Sequence, residues 1–209
     1  MIAWIRNVIA EVEKAKKEKR IPNFANPRQG DMEVFSLPAH LYNPLLYLAK
    51  GNVEIGISPV ALNESEIQFV KALHKNITLH TEEFKNKEIY LIRNRSKKGI
   101  GFFDDAGFFP DFILWLIADG KQYITFIDPH GMAREPITSS KVGLFKRLKE
   151  EIESTLPVSS VHLTSFILSP TKYSELSDKS ATVTEWNDNH VLFMDDSNYV
   201  YDMLISIQK

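Results

Sequence analysis

The chain has 209 residues, 44% of them hydrophobic and 25% charged, with a formal net charge of -2. That is enough for one large domain or a core with a small addition, and the balance excludes a strongly basic nucleic-acid binder. It contains no cysteine, which excludes disulfides, thiolate nucleophiles and cysteine-ligated zinc and fits a reducing, cytoplasmic setting. No apolar stretch approaches the length of a membrane span, so no membrane contact is expected.

Ile2, Ile5, Val8, Ile9 and Val12 recur at helical spacing, and the spacing predicts an amphipathic helix over residues 1–19 with a basic tail of Lys14, Lys16, Lys17, Lys19 and Arg20. Residues 21–31 hold Pro22, Pro27 and Gly30 and read as a connector. The chain therefore divides into an N-terminal helix and connector, 1–30, and a larger domain, 31–209. Short strands and turns are expected over 32–59.

Asn63 then caps a helix with Glu64 and Glu66 in its first turn, where acids suit the helix dipole, and Phe69, Val70 and Leu73 on one face. A strand is expected over 87–96, leaving through Arg93, Arg95, Lys97 and Lys98. A hairpin comes next, with strands over 109–117 and 122–128 around Asp119-Gly120, a dipeptide favoured in tight turns. Val142, Leu144, Phe145, Leu148, Ile152 and Leu156 predict a second core helix over 141–156. Strands over 158–168 and 190–194 and a final helix over 198–207 complete the chain.

The order from residue 63 to 168, helix, three strands, helix, strand, predicts an α/β fold with a central mixed β-sheet flanked by helices. Two acids stand out in the hairpin. Asp111 precedes the first apolar strand and Asp128 ends the second, so an antiparallel pairing brings them to one end of the sheet. A carboxylate in apolar surroundings is costly unless it is paired or bound to a cation. Two that converge are a natural Mg²⁺ site, with Mn²⁺ as a possible substitute and the Pro129 carbonyl as a further oxygen ligand. Each acid alone also has a plain structural role, since Asp and Pro are ordinary turn formers, and Glu66 alone is an ordinary helix-start acid.

This order and these residues resemble the PD-(D/E)xK nuclease superfamily over roughly residues 60–170. Pro110-Asp111 matches the Pro-Asp at the start of its second strand, Asp128-Pro129-His130 stands in place of the acid-x-Lys element, and Glu66 lies on the acid-bearing first helix. More narrowly, Leu91-Ile92-Arg93-Asn94, Phe109-Pro110-Asp111-Phe112 and Phe126-Ile127-Asp128-Pro129 are similar to the C-terminal nuclease domains of DEAD/DEAH-type, type III-like restriction helicases.

The resemblance implies a restriction-endonuclease-like core and a metal-dependent endonuclease of DNA. Glu66, Asp111, Asp128 and His130 would be its catalytic residues and Arg93, Arg95, Lys97 and Lys98 its DNA contacts. A helicase or ATPase motor in the same or a partner chain is implied as well, in restriction or phage defence. His130 departs from the family pattern, which has Lys. It leaves three alternatives: His130 acts as base or donor, Lys141 or Lys146 from the following helix supplies the charge, or the module is degenerate and only binds DNA or a partner. Action on some other phosphate ester is a further possibility.

Overall fold

The computed structural model describes residues 2–20, 22–30, 32–35, 45–48, 62–94, 99–101 and 108–208. At the N-terminus, helix α1 (Ile2–Lys17) precedes an antiparallel sheet of β1 (Arg28–Gln29), β2 (Met32–Phe35) and β3 (Leu45–Leu48). Trp4, Ile5 and Val8 cluster with Phe24, Met32 and Val34, and the Trp4 indole donates to the Asn26 carbonyl at 2.8 Å. The buried face of the helix is thus rotated from the expected stripe, and Ile9 is exposed. Trp4 offers the largest apolar surface, so burying it outweighs burying Ile9. Because β1 pairs with β2, strand pairing crosses the division expected near residue 30.

The main body starts with α2 (Glu64–Leu79) and a short α3 (Thr81–Phe84). It continues through β4 (Glu88–Arg93), β5 (Phe112–Ala118) and β6 (Lys121–Asp128), which form an antiparallel meander. Asp119 and Gly120 close the hairpin with φ of 51° and 74°, the doubly positive geometry that this dipeptide accommodates. A helical crossover then returns the chain to β7 (Val161–Ser169), parallel to β6. It comprises α4 (Leu144–Arg147), a π turn (Leu148–Ile152) and a 3-10 turn (Glu153–Thr155). Helix α5 (Val183–Asp188) leads to β8 (Val191–Phe193), parallel to β7, and α6 (Tyr199–Ser206) closes the chain.

The result is an α/β fold on a mixed five-stranded sheet in sequential order, β4-β5-β6-β7-β8. Alternation along each strand sends residues to opposite faces. Phe112, Leu114, Leu116 and Ile127 pack with Phe69, Val70 and Leu73 of α2 and Met203 and Leu204 of α6. Ile113 and Phe126 face the other way, against Leu144 and Leu148. Trp186 of α5 fills a third cluster with Met132, Val142, Ile167 and Val191. Among the described residues no helix is long and apolar enough to cross a membrane.

Two parts of this body differ from the sequence expectation. The helix expected over 141–156 begins at Leu144, after a turn, and widens at Leu148, where the Glu153 N–H donates to the Leu148 carbonyl five residues back. Helix α5 lies where no element was expected; Thr182 caps it, and the Glu185 side chain returns to the Thr182 N–H at 2.7 Å. The stretch 53–59 lies outside the described residues.

Candidate functional site

Strand register brings the two hairpin acids together. Phe112 pairs with Ile127 in the antiparallel ladder, so the next position outward sets Asp111 against Asp128. Counting by twos from Ile113 and Phe126 puts both carboxylates on the α4 side of the sheet. Asp128 is buried, and the Asp111 carboxyl hydrogen-bonds to it. Burial first, then the charge of Asp128 and the bond to it, then the charge of Glu66, push Asp111 up to about 7, while Lys141 pulls the other way. Near neutral pH, Asp111 is therefore poised to hold or release a proton between two crowded acids.

The segment entering Asp111 is fixed from the neighbouring strand. Asn94, just past β4, donates through its side chain to the carbonyls of Ile100, at 2.6 Å, and Pro110, at 2.8 Å. Its backbone N–H donates to the Asp111 carbonyl at 2.8 Å. Backbone groups around the site are in this way satisfied by one asparagine, which leaves the Asp111 carboxyl to face Asp128.

A cation completes the pair. Lys141, in the turn before α4, places Nζ 2.5 Å from Asp128 Oδ2 and 5.0 Å from the centre of the Phe108 ring. Both side chains are largely shielded, with relative exposures of 16% and 8%, so the attraction is screened less than a surface pair would be. Lys146, the alternative source of positive charge on this crossover, instead donates to Asn189 Oδ1 at 3.2 Å.

Glu66 approaches from the opposite layer, with its carboxylate already engaged. Oε2 accepts from the Asn63 N–H at 3.0 Å and from Arg93 Nη2 at 2.9 Å, and Oε1 accepts from the Asn63 side chain at 3.1 Å. Asn63 Oδ1 in turn accepts from the Glu66 N–H at 2.9 Å, which completes a capping box. Glu66 thus holds the start of α2 and anchors Arg93, and its charge is still felt at Asp111. Arg93, expected among the DNA contacts, has an internal acid partner. Ser65, which sequence reasoning did not single out, has one hydroxyl proton to share between Asn63 Oδ1, 2.8 Å away, and the Pro129 carbonyl, 3.2 Å away, and so ties the α2 N-terminus to the turn after β6.

His130 is exposed, and its backbone N–H donates to the Leu168 carbonyl at 3.1 Å. Arg95, Lys97 and Lys98 lie outside the described residues. Among the described residues, no three His, Asp or Glu side chains gather closely enough to hold a metal ion. The arrangement amounts to two carboxyls in contact, a lysine on one of them, and a third acid turned toward an arginine. The Pro129 carbonyl, next to Asp128 in the chain, retains a second lone pair beyond the one used by Ser65. Two oxygen-only side chains held against their mutual repulsion form a donor set suited to a hard dication, which would replace the proton on Asp111. Compared with protein families, curated proteins and solved structures, the chain matches none.

Proposed function

We propose that this chain is a Mg²⁺-dependent endonuclease domain of the PD-(D/E)xK type that hydrolyses DNA phosphodiester bonds. We assign it to a restriction or phage-defence assembly as the cleavage module of a helicase or ATPase motor. The observation that carries the reading is the Lys141 ammonium, 2.5 Å from Asp128 beside Asp111. It offers, from the turn before the crossover helix, the positive charge that His130 does not supply at the family's lysine position. The helix, meander, crossover and parallel-strand order, which the fold and the resemblance share, adds support.

In this mechanism Asp111 and Asp128 would hold the metal, together with the Pro129 carbonyl. When bound, Mg²⁺ supplies Lewis-acid stabilisation of the phosphorane-like transition state and lowers the pKa of an attacking water. Asp111 would serve as a ligand in its deprotonated form. Lys141 stands beside the attacked phosphate and offsets the charge that builds there. Glu66 and Arg93 hold α2 and β4 in register around the acids, and Ser65 orients the Pro129 carbonyl. His130, at the solvent edge, is free to meet the substrate backbone.

A second reading, a nuclease-fold module that binds DNA or a partner without cutting, draws on the engagement of Glu66 by Arg93, which leaves two acids rather than three. Plasmid nicking in Mg²⁺ or Mn²⁺ separates the two. Cleavage by the wild type that is lost in Asp128→Ala and Lys141→Ala, and kept in His130→Ala, is the expected result. A silent wild type that gains cleavage in His130→Lys would place the chain in the second class.

A further inference from the structure

A separate cavity of about 420 Å³ opens at the other end of the same strands, with Lys121, Tyr123, Lys149, His162, Thr164 and His190 among its walls. Lys121 begins β6 and Asp128 ends it, so the cavity and the carboxylate pair are about 23 Å apart along an extended strand. The cavity is therefore not part of the site built on Asp111 and Asp128, and its role is independent of the nuclease reading.

Among the described residues the charges in the cavity are unbalanced. Neither Lys121 nor Lys149 forms an ion pair among the described residues. Glu153, an acid in the wall, is consumed internally: Oε1 lies 3.1 Å from His162 Nδ1, and Oε2 accepts from the Leu163 N–H at 2.6 Å. Because His162 uses Nδ1 for Glu153, its other nitrogen remains, and that Nε2 is buried with no hydrogen-bond partner. That atom is closed off from the cavity space, so the groups offered to a ligand here are the ammoniums of Lys121 and Lys149.

The walls are also built from unusual backbone. Lys149 sits on the π turn Leu148–Ile152, a geometry that recurs at functional sites. His190 has a positive φ of 59° and is wedged between the rings of Phe145, 4.0 Å away, and Phe166, 4.3 Å away. Its Nδ1 lies 3.1 Å from Thr164 Oγ1 and 3.0 Å from the Ser165 carbonyl. Tyr123 stacks on His162 with ring centres 5.1 Å apart. These contacts give the cavity a rigid aromatic wall beside two cations that form no ion pair among the described residues.

We propose that this cavity binds a small phosphate monoester, of the size of a nucleoside monophosphate. The volume falls within the range of small-molecule sites and exceeds what inorganic phosphate fills. Lys121 and Lys149 meet the phosphate oxygens. The organic group lies along the aromatic wall, where a planar or sugar ring replaces water.

Calorimetric titration of the whole chain with adenosine 5′-monophosphate, ribose 5-phosphate and adenosine tests this. At least one ester is expected to bind with Kd below about 1 mM. Replacing the ester by adenosine, or the chain by its Lys121→Ala/Lys149→Ala double variant, should each weaken the interaction by about tenfold or more. Both lysines are exposed, so the double variant should fold, and its circular dichroism checks that. Asp128→Asn is expected to bind the ester like the wild type. Four results would overturn the proposal: no binding of either ester, adenosine binding as tightly as its phosphate, an unchanged double variant, or loss of binding in Asp128→Asn, which would place the ester at the carboxylates instead.

Discussion

Lys141 Nζ lies 2.5 Å from Asp128 Oδ2, joining the turn before the crossover helix to the end of the central strand β6. The pair places a positive charge against the acid that the sequence follows with Pro129 and His130. If the site cuts DNA, Lys141→Ala should lower Mg²⁺-dependent nicking by about 10²–10³-fold, the cost of removing one preorganised donor from a transition state. Lys146→Ala, which removes a contact to Asn189, should leave nicking unchanged. Equal losses in the two variants would move the role from this contact to general basicity of the helix.

Asp111 links stability to pH with a sign opposite to that of most salt-bridged acids. Its carboxyl is pushed up from 3.8 to about 7, first by burial and then by Asp128, so between those values the folded chain holds a proton that the unfolded chain releases. The associated stability is complete below about pH 4 and is lost as pH rises through about 7. Asp111→Asn removes that dependence. After discounting for solvent screening at a partly exposed group, the variant should be more stable than the wild type at pH 8 by on the order of 1–2 kcal/mol. A higher Tm at pH 8 with no gain at pH 4 is the expected melting result. An equal shift at both values would assign the effect to packing.

The hairpin turn offers a test independent of the site. Gly120 has φ of 74° with no heavy atom within 4 Å of where a Cβ would stand, so alanine there meets backbone strain and no clash. Gly120→Ala should cost about 1–2 kcal/mol, measured by urea unfolding with an unchanged m-value. Gly120→Asn should recover much of the loss, because asparagine tolerates the left-handed region.

What could be read from residues alone depends on how local each signal is. Asp119-Gly120 announces its turn because positive φ at two successive positions narrows the choice of residues, and Asn63 announces α2 because a cap lies within three residues of the N–H it satisfies. The meeting of Asp111 and Asp128 was legible for the same reason, since one hairpin fixes both. The choice of Lys141 over Lys146 was not: it depends on where the crossover begins, and the turn before Leu144 shifts the lysine toward Asp128. The π turn left no mark in the apolar spacing, which runs on through Leu148 and Ile152. Helix α5 had a readable capping box in Thr182 and Glu185, but at six residues it shows too little periodicity to be noticed. Glu66 was legible as a first-turn acid, whereas its bond to Arg93 spans 27 residues and depends on how α2 lies over β4.

That bond gives the last prediction, which separates support from chemistry at Glu66. Glu66→Ala takes a buried acid from beside Arg93 and removes half of the capping box, so a loss of about 2–3 kcal/mol is expected. Glu66→Gln keeps an oxygen for the Asn63 N–H and for Arg93 while removing the charge, and should cost less than half as much. If Glu66 only holds α2 and β4 together, Glu66→Gln, once folded, should nick DNA at a rate close to wild type. If its charge helps to bind the metal beside Asp111, the same variant should need a higher Mg²⁺ concentration for half-maximal cleavage while its Tm stays near that of the wild type. Measuring the Mg²⁺ dependence of nicking and the Tm on one preparation of this variant decides between the two roles, because a purely structural acid moves stability without moving the metal requirement.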